Sequence, residues 1–201
     1  MTLTVYGQTQ SRAQRALWMA EELGIEYQHV PTRFADEAKL PDYLRVNPNG
    51  RIPAIDDDGF LVWESMAINL YLAKKYGGDL GPKDLQEDAV ATQWSFWVMT
   101  EVEKTLLQAL FHTTGMMGAD KSAEKAAACL EELQPALRVL DSALAGEDYL
   151  MGGRFTVADL NVASVLAWLS MAGADISGYH NLSAWFARCT NRQALARARA
   201  K

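Results

Sequence analysis

The stretch from Asn47 to Leu72, NPNGRIPAIDDDGFLVWESMAINLYL, constrains the chain more than any other. A turn ends in Arg51-Ile52-Pro53, a tight turn follows at Asp56-Asp57-Asp58-Gly59, and Glu64-Ser65 opens a helical pattern. Pro53 stands where an apolar β-like run begins. Proline cannot donate to a strand ladder there and is tolerated only at a strand's first residue or edge. An X-Pro bond loses most of the usual trans preference. A cis bond at this point would leave the N–H and C=O of Ile52 free to pair with a peptide-like ligand. Glu64 and Ser65 add a carboxylate and a helix N-terminus, which attracts anions. The segment therefore describes a site for a small peptide carrying both an amine and carboxylates.

The flanking sequence sets the architecture. Leu3–Tyr6 is a β run ended by Gly7. From Ser11 to Leu23, residues Ala16, Leu17, Ala20 and Leu23 recur at helical spacing, and Gly24 supplies the stop. Tyr27–Val30 is a second strand, and Asp36–Val46 a short irregular helix. Strands follow at Pro53–Ile55 and Phe60–Trp63, then a helix from Ser65 to Tyr76. The order β-α-β-α-β-β-α predicts a parallel βαβ unit joined to an antiparallel hairpin. Gly77-Gly78-Asp79-Leu80-Gly81-Pro82 ends the pattern. Beyond it no strand alternation occurs. Helices are predicted from an Asp84 cap, from Ser122 to Leu144, from Thr156 through Leu169, and from about Leu182 and Arg192. The fold class is thus an α/β N-terminal lobe over 1–77, a linker over 78–84, and an all-α lobe over 85–201.

Bulk properties exclude several functions. A net charge of −6 leaves no footprint for nucleic acid. No apolar run approaches the roughly 18 residues of a membrane span, and MTLTVYGQ has no signal-peptide pattern, so a cytoplasmic protein is expected. Cys129 and Cys189 lack metal-ligand spacing and read as unpaired thiols; no metal is expected. Arg188, Arg192, Arg197, Arg199 and Lys201 read as a solvated face complementing helix ends.

Taken together, NPNGRIPAI (Asn47–Ile55), ESMAI (Glu64–Ile68) and FTVADL (Phe155–Leu160), in this order and spacing, resemble a cytosolic glutathione S-transferase. The likeness runs over essentially the whole chain and points to a bacterial, serine-type, theta-like or beta-like member. It implies a thioredoxin-like first lobe, a helical second lobe and a homodimer. It also implies glutathione as co-substrate, with transfer of an alkyl or aryl group to its thiol sulfur in detoxification.

The resemblance assigns roles by position. Ser11, in SRAQR, matches the Ser-x-x-x-Arg start of serine-type classes and is the first candidate to hold the glutathione thiolate. It also fits an S-x-x-Q capping box with Gln14, and so has a second reading as a cap. Thr9 is the second candidate, and Tyr6, at the end of the first strand, the third. Gln10 stands where beta-class enzymes carry a cysteine, which excludes a mixed disulfide at that position. Ile52, before Pro53, would pair through its backbone with the cysteinyl unit. Glu64 would bind the γ-glutamyl amine and Ser65 the adjacent carboxylate, with Lys39 and Arg51 left for the glycyl carboxylate. Gln8, Phe34, Phe111, His112, Met116 and Met117 would line an electrophile pocket between the lobes. Thr156 and Asp159 read as a structural helix cap. The alternatives are a glutathione-dependent disulfide reductase or peroxidase, maleylacetoacetate isomerase, and a non-catalytic module of the same fold that binds ligands or partners.

Overall fold

The computed structural model describes residues 2–201. By their contacts they form two compact units, residues 2–83 with Asn191–Lys201, and Asp84–Thr190.

The first unit is built on a four-stranded sheet of order β2-β1-β3-β4, from β1 (Leu3–Tyr6), β2 (Tyr27–Val30), β3 (Ala54–Asp57) and β4 (Phe60–Trp63). The crossover helix α1 (Ala13–Leu23) makes β1 and β2 parallel, because a helical connection returns the chain in the same direction. β3 runs antiparallel to both neighbours. Its turn to β4 is the Asp-Gly pair, Asp58 at φ 53° and Gly59 at φ 89°, the two positive angles that a two-residue hairpin requires. The irregular helix expected over 36–46 is divided. A 3₁₀ turn at Glu37–Lys39 stops before Pro41, which opens the short helix α2 (Pro41–Leu44), since proline suits a first helical position. The third strand starts at Ala54, one residue after Pro53. Helix α3 (Ser65–Tyr76) closes the motif.

A buried carboxylate ties α3 to the sheet. Asp57 accepts from Lys75 Nζ (2.6 Å), Tyr71 Oη (2.7 Å) and Tyr76 Oη (2.8 Å). Burial pushes its carboxyl up, but these three donors outweigh burial and hold it below the usual carboxylate range. A depressed folded value stabilises the protein above the unfolded carboxyl's value of about 3.9, and that contribution is lost as pH falls through the folded value. Asp57→Asn is therefore expected to cost about 1–3 kcal/mol at neutral pH. The gap to the parent should narrow in acid, as read from denaturation midpoints across pH. A gap independent of pH would refute this role.

The basic C-terminus is not merely solvated. Helix α9 (Gln193–Arg199) packs on α1. Arg192 grips Glu22 with two bonds (2.7 and 2.8 Å), and Arg197 donates to Glu21 Oε2 (2.8 Å) and its backbone carbonyl (3.0 Å). Lys201 reaches Glu21 at 3.3 Å. These pairs draw Asn191–Lys201 into the first unit and away from the helical lobe where the sequence had placed it.

The second unit is helical. Asp84 caps α4 (Leu85–Trp97) by accepting from Glu87 N (2.8 Å). The single long helix expected here loosens into a π-type segment at Val98–Glu103 before α5 (Lys104–Thr114) resumes. Then come α6 (Ala123–Ala143), α7 (Val157–Leu166) and α8 (His180–Thr190). Every residue of α7 is buried, and its polar Asp159, Asn161 and Ser164 are hydrogen-bonded there. Asn161 on α7 donates to Ser95 Oγ on α4 (2.8 Å), linking the two helices within the core. No described helix is long and apolar enough to cross a membrane.

Candidate active site

The ladders bring the sequence-predicted binding residues of the first unit to one end of the sheet. Tyr6 pairs with both Val30 and Ala54, and Ala54 with Trp63. Gly7, Pro53 and Glu64 consequently leave their strands together, each one step beyond the last pair. The Ile52–Pro53 peptide is cis. The carbonyl before it, on Arg51, is taken by Tyr43 Oη and Asn47 Nδ2, each at 2.7 Å. Among the described residues, nothing bonds the N–H or C=O of Ile52. An exposed strand-like donor and acceptor pair of this kind can receive one extended peptide unit. The Ile52 side chain packs against the buried cluster of Ala38, Tyr43 and Ala54, so one residue can serve both core and site.

Glu64 adopts φ 72° and ψ 115°, a conformation that side chains with a Cβ avoid, and its side chain is exposed. Such strain costs about 1–3 kcal/mol and gathers at ligand clamps. Ser65 follows as the first residue of α3. The opening N–H groups of a helix have no carbonyl within it to reach and form a natural carboxylate seat. Behind Ser65 stands Arg15 of α1, 2% exposed, donating from Nη1 to Ser65 Oγ at 3.2 Å. A buried guanidinium reinforces the attraction of this helix start for anions. Sequence reasoning did not give Arg15 a role; the signal was the Ser11-x-x-x-Arg15 spacing.

Ser11 does not form the S-x-x-Q box. Its Oγ accepts from Ala13 N (3.0 Å) and donates to the Gln8 carbonyl (2.6 Å), while α1 begins only at Ala13. Gln14 Nε2 is buried without an acceptor among the described residues. The Thr9 hydroxyl has no partner among them. Tyr6 is placed differently. Its ring meets Tyr43 edge-on at 5.9 Å, beside a cleft of about 450 Å³ lined by Val30, Thr32, Leu40 and Val46. Burial, and then the Asp56 carboxylate, push its hydroxyl above its ordinary value, so it keeps its proton.

Lys39 donates from Nζ to the Gly50 carbonyl and lies 4.6 Å from the Phe34 ring centroid, whereas Arg51 is exposed with no ion pair among the described residues. Gln8 holds Ser11 through its backbone. The remaining predicted lining residues belong to the helical unit. Phe111 and His112 lie near the end of α5, His112 Nδ1 sits 3.1 Å from the Asp120 carbonyl, and Met116 and Met117 are exposed in the turn that follows. Asn47 was also missed: its Nδ2 anchors Arg51 and its Oδ1 accepts from Asn49 N (3.0 Å), fixing the turn before Ile52. Among the described residues no group of three or more His, Cys, Asp or Glu is placed to hold a metal.

The profile of the glutathione S-transferase N-terminal domain matches residues 1–74, and that of the C-terminal domain residues 98–193. Glutathione S-transferase D7 of Drosophila melanogaster is 32% identical over 191 residues, 91% of this chain and 82% of that protein. Among solved structures, the theta class glutathione S-transferase of the citrus canker pathogen Xanthomonas axonopodis pv. citri, with glutathione bound, is 31% identical. It superposes with a TM-score of 0.88 over 99% of this chain and 97% of its own. A glutathione S-transferase-I bound with lactoylglutathione, 29% identical, gives a TM-score of 0.89 over 98% of each chain. On two domain profiles that together span most of its length, the chain belongs to the glutathione S-transferase family.

Proposed function

We propose that the chain binds glutathione at this end of the sheet and conjugates its thiolate to small apolar electrophiles, the new S–C bond forming as the carbon loses its leaving group, as an epoxide opens or as an enone takes up the addition. The unbonded N–H and C=O of Ile52, beside the Glu64–Ser65 helix start, carry this reading. The cysteinyl unit pairs with Ile52 and packs on Pro53. The γ-glutamyl carboxylate meets Ser65 and the free amides of α3, with Arg15 behind, and Glu64 takes the amine. Arg51 and Lys39 serve the glycyl carboxylate. Ser11 turns its hydroxyl from Gln8 to the sulfur. Two relatives, the theta class enzyme with glutathione bound and the enzyme with lactoylglutathione, support the ligand class.

Three exposed apolar side chains on the edge strand β4, Phe60, Leu61 and Trp63, support a homodimer, because an uncovered apolar edge invites association. Calorimetry with glutathione should show saturable heat in the micromolar-to-millimolar range, about that of typical Michaelis constants. The same preparation should sediment as a pair of chains. Turnover with an aryl halide, a peroxide and a mixed disulfide then separates transferase from peroxidase and reductase. Glu64→Lys, which keeps a side chain at the strained position, should weaken glutathione at least about tenfold. An absence of heat, or a Glu64→Lys chain that binds as the parent does, would sink this reading.

A further inference from the structure

The loop that carries Ser11 is pinned from outside itself. Gly7, at φ 131°, is where three segments meet: a Cβ there would lie 2.6 Å from Ala13 Cβ and 3.1 Å from Ile52 Cβ. Its N–H is held by the Val30 carbonyl at 2.9 Å. Its carbonyl is met by His29 Nε2, on the edge strand β2, at 2.8 Å. A carbonyl only accepts, so Nε2 carries the proton of this bond. The next carbonyl along the chain, on Gln8, takes both the N–H (3.1 Å) and the hydroxyl (2.6 Å) of Ser11. Successive peptide planes are coupled through two dihedrals only. The direction of the Gly7 carbonyl therefore bears directly on that of Gln8, and Gln8, through the Ser11 N–H, sets where Ser11 stands. Gly7, with no Cβ, is the residue least able to hold that direction by itself.

We propose that His29 is a positioning residue for the thiol-activating hydroxyl, acting through the relay His29, Gly7 carbonyl, Gln8 carbonyl, Ser11 N–H, which holds Ser11 in place when its hydroxyl turns to the sulfur. The role rests on the glutathione transferase reading for its consequence, but not for its geometry. His29 touches neither the sulfur nor the electrophile. Its effect falls on the chemical step, because misplacement of a reacting group costs rate before it costs ground-state binding.

The test uses the full chain with His29 changed to Ala, Gln and Asn. Gln places an amide nitrogen near the position of Nε2 and Asn near that of Nδ1, so Gln should restore the bond and Asn should not. Amide hydrogen exchange without glutathione gives the first readout. His29→Ala should speed exchange at Ser11 and Ala13, and His29→Gln should hold it near the parent rate. Turnover gives the second: His29→Ala should lower kcat about tenfold with little change in the Michaelis constant for glutathione, and His29→Gln should recover most of the loss. Parental exchange and kcat in His29→Ala would overturn the proposal, as would a Gln variant no better than Asn. Should the Ala variant fail to fold, the Gln and Asn pair decides in its place. A parent without glutathione turnover counts against the proposed function alone, and exchange then settles the relay.

Discussion

Asp159→Ala is expected to cost about 3–5 kcal/mol, a large part of the roughly 5–15 kcal/mol that holds a typical domain folded. The carboxylate is a buried hub in the helical unit. Its Oδ1 accepts from Leu150 N and the Trp185 indole N–H, both at 2.8 Å, and its Oδ2 from Thr156 N (2.9 Å) and the Thr156 hydroxyl (3.0 Å). Thr156, Asp159 and Trp185 are fully buried, so water does not stand ready to replace the lost acceptor. Each donor left unmet costs about 1–3 kcal/mol. Relaxation around the cavity keeps the total below their sum. An ordinary exposed cap substitution costs about 1 kcal/mol. The excess over that measures the bonds to Leu150 and Trp185, which the capping motif alone does not supply. Asp159→Asn keeps one acceptor but turns an amide N–H₂ toward Thr156 N, so its loss should be intermediate. Urea midpoints of the three proteins check the order. An Asp159→Ala midpoint within about 1 kcal/mol of the parent would reduce the hub to a simple cap.

The order of elements was legible because its signals are local. Helical and strand periodicities, the Asp58-Gly59 turn and the Gly/Pro linker each act within a few residues. The same locality made the clustering at one end of the sheet readable: a two-residue hairpin fixes register, so Pro53 and Glu64 must emerge side by side. What escaped depends on distant partners or on backbone angle. Arg192 and Glu22 meet across most of the chain, so no window of sequence shows that the last helix belongs with the sheet. The π-type segment at Val98–Glu103 lies inside an unbroken apolar pattern that reads as continuous helix. Glu64 at φ 72° has no compositional signal, since glycine would be the expected occupant of such a position. Ser11 shows the limit most sharply. Its motif fits a capping box, yet the hydroxyl reaches Ala13 N and the Gln8 carbonyl, a choice set by where Gly7 leaves the sheet.

That geometry gives the second large effect. Ser11→Ala should lower kcat/KM at neutral pH by about 10²-fold, the usual loss when one preorganised donor to developing or resident negative charge is removed. A free thiol titrates near about 8.5, so without a donor only a small fraction of bound glutathione is thiolate at neutral pH. The deficit should shrink as pH rises through that value, because solvent then ionises the thiol without help. A deficit constant with pH would mean misplacement and not lost ionisation. The structural cost should be small, since Ala13 N loses an acceptor at a part-buried helix start, where cap substitutions cost about 1 kcal/mol. Unchanged glutathione affinity and a nearly unchanged urea midpoint would therefore accompany the lost rate. Thr9→Ala is the necessary companion. Its hydroxyl has no partner among the described residues and stands two residues away in the same loop. If Ser11→Ala keeps the parent's rate while Thr9→Ala loses it, the thiol donor is Thr9 and Ser11 is only the clasp of its own loop.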